Sequence, residues 1–215
     1  MGPQLQITGS LGPLAFTLVL LVTTAARPTP DALGVSSKPA LGTTDLGKCK
    51  SLAKTLYKEA DALKEENGEN QSMCDNSSTI LAENNLVFPN LTEQDGCFYS
   101  GFNKETCLIN LISKLQEFDG YFQFMENELK EKKSRIEALK MFTTQLAESL
   151  KKLMMGADLV PTLNPTASHD LVLKLKSLNE WSRKVALHLS LCRYIKFMEH
   201  TIRAIRNMDP TDVSV

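Results

Sequence analysis

HDLVLKLKSLNEWSRKVALHLSLCRYIKFMEHTIRAIRNM, residues His169 to Met208, repeats its apolar side chains every three or four positions. They are Leu178, Trp181, Val185, Leu189, Cys192, Ile195, Met198, Ile202 and Ile205. That is the period of a helix, and no Gly or Pro interrupts it. One continuous helix of this length would be about 60 Å long, far beyond the usual three turns. A lone helix cannot bury such a stripe, so the rest of the chain must supply its partners. Arg203 and Arg206 stand three apart near its end, hence on one face. Asp209 is the only acidic residue within a turn of Arg206. The spacing predicts a basic patch; the plainer alternative is a solvated helix end whose cations complement the dipole.

The 215 residues carry a formal charge of -1 and are 42% hydrophobic, which suits one domain with a substantial core. Nucleic-acid binders show a basic excess, and none is present. The apolar run Leu11 to Val22 is too short to span a bilayer and is followed by Thr23-Thr24-Ala25-Ala26. The pattern predicts a signal peptide over residues 1–26, cleaved after Ala25 or Ala26, with a retained anchor as the alternative. No later run is long enough for a membrane helix, so a secreted chain is expected, with no membrane insertion once the signal is removed. Five cysteines (Cys49, Cys74, Cys97, Cys107, Cys192) then leave an odd thiol in an oxidising compartment. Asn76-Ser77-Ser78 and Asn90-Leu91-Thr92 are candidate glycosylation acceptors.

Residues 27–44 are rich in Pro, Gly, Ser and Thr and read as a disordered leader. A first helix starts near Asp45 as cap, with Leu46, Cys49, Leu52, Leu56, Ala60 and Leu63 as its stripe and Gly68 as its stop. A long connection follows, in which a short helical turn fits Thr79 to Leu86. Cys97 and Cys107 can staple the end of this connection, enclosing Phe98, Tyr99 and Phe102. Those rings either lid the core or stand exposed as anchors for a partner. A second helix, Lys104 to Lys130, steps through Leu108, Ile112, Leu115, Phe118, Phe122, Met125 and Leu129, with Gly120 costing it about 1 kcal/mol. A third begins with the capping box Ser134–Glu137 and carries Ile136, Leu139, Thr143, Leu146, Leu150 and Leu153 until Gly156. Their joint is short, so these two are antiparallel neighbours. The connection Gly156 to Ser168 can span about 43 Å, longer than the third helix. Two long crossovers around one short turn predict an all-α, long-chain four-helix bundle in up-up-down-down order. It covers residues 45–208, with 209–215 as a flexible tail.

Catalytic chemistry is not legible. No His-Glu-x-x-His, Gly-x-Ser-x-Gly, phosphate loop or di-iron Glu-x-x-His pattern occurs. His169, His188 and His200 are read as having no metal-ligand companion one turn away. No catalytic residue, metal, cofactor or small-molecule substrate is expected. A secreted carrier of an apolar ligand is the alternative from another class, but it needs a cavity where these stripes place Leu and Phe.

Leu81 to Leu108 (LAENNLVFPNLTEQDGCFYSGFNKETCL), Asn179-Glu180-Trp181 and Ile202-Arg-Ala-Ile-Arg-Asn-Met208 resemble the interleukin-6 family. The Gly-Cys-Phe-x-x-Gly-Phe-x-x-x-x-Cys spacing is its most specific element. The resemblance implies a secreted signalling ligand without enzymatic activity that acts in acute-phase, immune and inflammatory responses. It implies three receptor-binding surfaces. Phe98, Phe102, Arg203 and Arg206 would bind the interleukin-6 alpha receptor. Thr55, Glu59, Phe142 and Gln145 on the first and third helices would meet the shared signalling receptor, glycoprotein 130. Leu81, Glu83, Asn84, Leu86 and Trp181 would take a second glycoprotein 130 chain. Trp181 also fits the core stripe. The competing family reading is another long-chain helical cytokine, such as a granulocyte colony-stimulating factor relative. One departure matters: Gly68 stands where the family has the partner of Cys74. Cys49 is then a candidate mate, and Cys192, on the core stripe, reads as a buried free thiol; only Cys97–Cys107 is assigned.

Overall fold

The computed structural model describes residues 41–67, 74 and 86–209. The expected signal peptide, most of the leader, the stop at Gly68, Asn76, Leu81, Glu83 and Asn84, and all of the tail but Asp209 lie outside them. Among the described residues five α-helices have defined ranges: α1 (Leu41–Glu66), α2 (Lys104–Glu128), α3 (Lys133–Lys151), α4 (Pro165–Lys176) and α5 (Glu180–Met208). No strand occurs among the described residues.

The chain directions follow from contacts between helix ends. Arg135, at the start of α3, binds Glu66 at the end of α1 at 2.6 Å, so α1 and α3 are antiparallel. Glu105, at the start of α2, accepts from the backbone N–H groups of Met155 and Gly156 just beyond α3. Asn207 donates to the Cys97 carbonyl at 3.3 Å, and Arg183 stands 3.8 Å from Glu128. Helix α2 is therefore antiparallel to both α3 and α5. It follows that α1 runs with α2 and α3 with α5, the up-up-down-down order that two crossovers impose.

Most of the residues in the stripes read from the period form the core, with Leu52, Leu129, Leu153, Leu178 and Ile202 half-buried against it. Leu46, Cys49, Leu56, Ala60, Leu63, Leu108, Ile112, Leu115, Phe118, Phe122, Met125, Ile136, Leu139, Leu146 and Leu150 are all buried. At the centre the Phe118 ring meets Tyr194 edge-on at 5.1 Å and Phe197 at 5.3 Å. Such pairs contribute about 0.5–1.5 kcal/mol beyond their burial. The Tyr194 hydroxyl shares a 2.5 Å hydrogen bond with Thr143, so this ring is buried without an orphaned polar atom.

Five features of the helix boundaries differ from the sequence reading. The forty-residue helix is two helices, α4 and α5. Asn179 adopts an extended backbone, and its side chain accepts from Ser182 N–H at 2.8 Å. A competent cap starts a new helix without any Gly or Pro. Helix α4 begins at Pro165, earlier than His169, because Asn164 caps it and proline suits the first turn. The Ser134–Glu137 capping box does not form, since the turn Lys130–Lys132 feeds straight into α3 from Lys133. Asp45 is not a cap: α1 already starts at Leu41, and Asp45 pairs with Lys48 at 3.1 Å instead. Gly156 follows α3 by five residues with φ −125°, so it is not a left-handed stop.

Gly120 has a reason to be glycine. A β-carbon there would lie 3.0 Å from Leu171 Cδ2 and Ser168 Oγ, and 3.3 Å from the Ser168 carbonyl. Helix α4 thus crosses α2 closely, helped by Asp119, which accepts from Ser168 at 3.3 Å and pairs with Lys140 at 2.9 Å. Alanine inside a helix normally gains about 1 kcal/mol over glycine. Here Gly120→Ala is expected to lose about 1 kcal/mol instead, because backbone as well as side chain obstructs the methyl. Urea unfolding checks this; a raised midpoint would show that α4 yields freely.

Candidate functional surface

The loop before α2 is built by local chemistry. Thr92 and Asp95 cap each other's turn, and Gly96 (φ 70°) then bends the chain through a left-handed conformation. Asn103 donates its N–H to the Gly96 carbonyl at 2.9 Å and caps α2 through Thr106 N–H at 3.0 Å. The Cys97–Cys107 disulfide closes the ends of this ten-residue separation. Asp95 is buried and held by Lys114 at 2.7 Å. Burial pushes its carboxyl up, but the Lys114 and Thr92 hydrogen bonds outweigh it and hold the group below its ordinary range.

Within this loop Phe98 and Phe102 are half-buried and pack on the core, whereas Tyr99 is 94% exposed. The two readings of the loop are therefore divided between its rings. Phe98 meets His200 of α5 edge-on at 5.6 Å. Together Leu91, Cys97, Phe98, Tyr99, His200, Arg203, Arg206 and Asn207 line an open cleft of about 330 Å³. Arg203 and Arg206 are exposed, and neither forms an ion pair among the described residues. Burial, then the charges of Arg203 and Lys196, push His200 below its ordinary value despite Glu199. The positive charge of the cleft at neutral pH thus belongs to the arginines. Phe102 does not line it. His200 and Asn207 were missed in the sequence, although His200 stands one turn before Arg203; Tyr99 was read as a ring of the loop but not assigned to the surface of Phe98, Arg203 and Arg206.

The other expected positions scatter. Trp181 is 67% exposed in the first turn of α5, not in the core. Leu86 is 6% exposed, so it underlies its surface instead of facing solvent. Thr55 and Gln145 are exposed and Phe142 is 37% exposed, whereas Glu59 lies 3.4 Å from Arg135. Asn90 is exposed.

The cysteines correct the sequence reading. Cys192 is not a free thiol: it is bonded to Cys74. Cys49 is the odd one, buried, its thiol pushed up to about 11 by burial and then by Asp45. His188 does have a companion one turn on, Cys192, with its Nε2 3.3 Å from that sulfur. The spacing of His188 and Cys192 was present in the sequence, so the reading that no histidine has a companion one turn away is corrected.

An exposed aromatic and basic end on an up-up-down-down bundle defines a helical cytokine. Residues 28–208 match the Interleukin-6/G-CSF/MGF family. Interleukin-6 of Sus scrofa is 37% identical over 207 residues, covering 94% of this chain and 98% of its own. Interleukin-6 of Felis catus is 38% identical over 203 residues, with the same coverage. A solved chain described as a cytokine/receptor complex shares the fold, with a TM-score of 0.50 at 19% identity over 71% of this chain and 96% of that one. The chain belongs to the Interleukin-6/G-CSF/MGF family, whose members are cytokines and not enzymes. Among the described residues no helix is long and apolar enough to cross a membrane.

The Asp95–Lys114 pair gives a stability test with a defined sign. Asp95 is depressed in the folded chain, so its stabilisation is complete above its unfolded pKa and is lost as pH falls through the lower folded value. Lys114→Met should cost about 1–2 kcal/mol at pH 7. The difference from wild type should shrink as pH falls through the acidic range, measured by denaturant unfolding. A difference independent of pH would assign the loss to packing alone.

Proposed function

We propose that this chain is a secreted cytokine that binds the interleukin-6 alpha receptor and then recruits glycoprotein 130. The associated kinases and transcription factors drive acute-phase, immune and inflammatory responses. The observation that carries the reading is the cleft where Phe98 and Tyr99 meet two unpaired arginines. Aromatic and arginine side chains dominate binding energy at protein interfaces, and guanidinium groups favour carboxylates on a partner. Phe98, Arg203 and Arg206 are the contacts of this surface, with Phe102 fixing the loop beneath.

Glycoprotein 130 is assigned to two other faces. One is assigned to Trp181 together with Leu81, Glu83, Asn84 and Leu86 on the resemblance alone; of these, Trp181 is exposed and Leu86 lies beneath the surface. Thr55, Glu59, Phe142 and Gln145 on α1 and α3 form the other. Secretion rests on the N-terminal signal pattern and on the relatives being interleukin-6, and glycans on Asn76 and Asn90 follow from that route. Bringing receptors together raises their effective concentration, so assembly takes the place of chemistry.

Surface plasmon resonance on the alpha-receptor ectodomain tests this. Wild type and Trp181→Arg should bind, while Arg206→Glu should lose at least about 2 kcal/mol. Wild type that is folded and helical yet fails to bind at micromolar concentration would reject the receptor assignment and leave the fold and family intact.

A further inference from the structure

His188 and Cys192 stand one turn apart on α5, both buried, and Cys74 of the first crossover reaches the same spot. His188 Nε2 is 3.5 Å from Cys74 Sγ and 3.3 Å from Cys192 Sγ, and the three donor atoms lie within 4.8 Å of one another. None of the three belongs to the aromatic and arginine cleft. A buried imidazole set against both sulfurs of a disulfide is more than the disulfide itself requires.

We propose that Cys74, His188 and Cys192 bind Zn2+ when the Cys74–Cys192 bond is reduced. Reduction needs a small-molecule thiol. Two such thiols become one disulfide, and the S–S bond of the protein accepts their two electrons and two protons to give two cysteine thiols. Zn2+ then displaces both thiol protons to solvent, and neutral His188 donates its Nε2 lone pair. Two thiolates cancel the charge of the ion, so the occupied site is electrically neutral, which suits a buried position. Two sulfurs and one imidazole nitrogen match zinc, with a fourth position left to water, and do not match the oxygen-seeking Ca2+ or Mg2+. Cys74 is half-buried, so the ion enters from its side. The crossover is then tied to α5 in either redox state, by a covalent bond or by a metal.

Cobalt(II) is the spectroscopic probe. A chain carrying Cys97→Ser and Cys107→Ser, which lacks the other dithiol, is reduced with a phosphine and titrated with Co2+ and then Zn2+. One equivalent of Co2+ should give a thiolate charge-transfer band that Zn2+ abolishes. Cys74→Ser or Cys192→Ser should remove about half its intensity, and His188→Asn should weaken binding at least about tenfold. Absence of the band, or unchanged affinity in His188→Asn, overturns the site. A second readout needs no variant: in the reduced wild-type chain, Zn2+ should slow alkylation of Cys74 and Cys192 but not of Cys97 and Cys107. Equal protection of all four, or none, also overturns it.

Discussion

From Val185 to Cys192 every residue of α5 is buried, about two full turns with no face left for water. An amphipathic helix shows solvent on one side; this one must be enclosed. Helices α1 and α2 pack against it, and the crossover is bonded to it through Cys74. Enclosure also sets the polar chemistry inside. Ser190 donates to the Ala186 carbonyl at 2.7 Å, and Thr201 to that of Phe197 at 2.9 Å, so neither hydroxyl is orphaned. Lys196 reaches solvent partway along, but the large exposed groups stand toward the two ends of α5, with Trp181 at one and Arg203 and Arg206 at the other. At 1.5 Å per residue those ends are about 38 Å apart. Two partners can therefore hold the same helix without touching each other.

The crossovers are what make that enclosure possible, and each is tied down. Tyr121 of α2 donates to the Val87 carbonyl, and its ring stacks on Phe88 at 4.4 Å. The Cys74–Cys192 bond spans 118 residues and Cys97–Cys107 only 10. In the chain-entropy picture the first constrains the unfolded chain by about 5 kcal/mol and the second by about 3. The long tie thus matters more to stability, while the short one matters more to the shape of the loop that carries Phe98 and Tyr99. The Cys74–Cys192 bond is a clamp between the crossover and the central helix.

Helical period made the core legible, because burial selects residue type position by position along each face. Cys49, Leu115, Ile136 and Leu150 were readable for that reason. Breaks were not legible where a polar side chain satisfies the backbone, as Asn179 does, since no Gly or Pro announces them. Nor was the crossing of α4 over Gly120, which depends on a contact between distant segments and looked like a propensity cost. Arg203 and Arg206 were readable because they stand three apart, on one face near the end of the helix. The cleft around them was not, since Leu91 and His200 come from segments that only the fold brings together. The Cys74–Cys192 pairing was hidden for the same reason: spacing along the chain says nothing about which helix a crossover passes.

Preorganisation is the feature that fits this end of the bundle to binding. Phe98 is held on three sides: by the Cys97–Cys107 bond, by His200 against its ring, and by Asn207 on the adjacent Cys97 carbonyl. A loop fixed before encounter does not have to be ordered during it, and immobilising each rotamer-rich side chain costs about 0.5–1.5 kcal/mol. The arginines retain that cost, since nothing in the described chain fixes them. The division of labour follows: rigid rings provide buried area cheaply, and mobile guanidinium groups search for carboxylates. Because His200 is kept neutral by burial and by Arg203 and Lys196, it can serve as an apolar wall behind Phe98 without adding a third charge to the cleft.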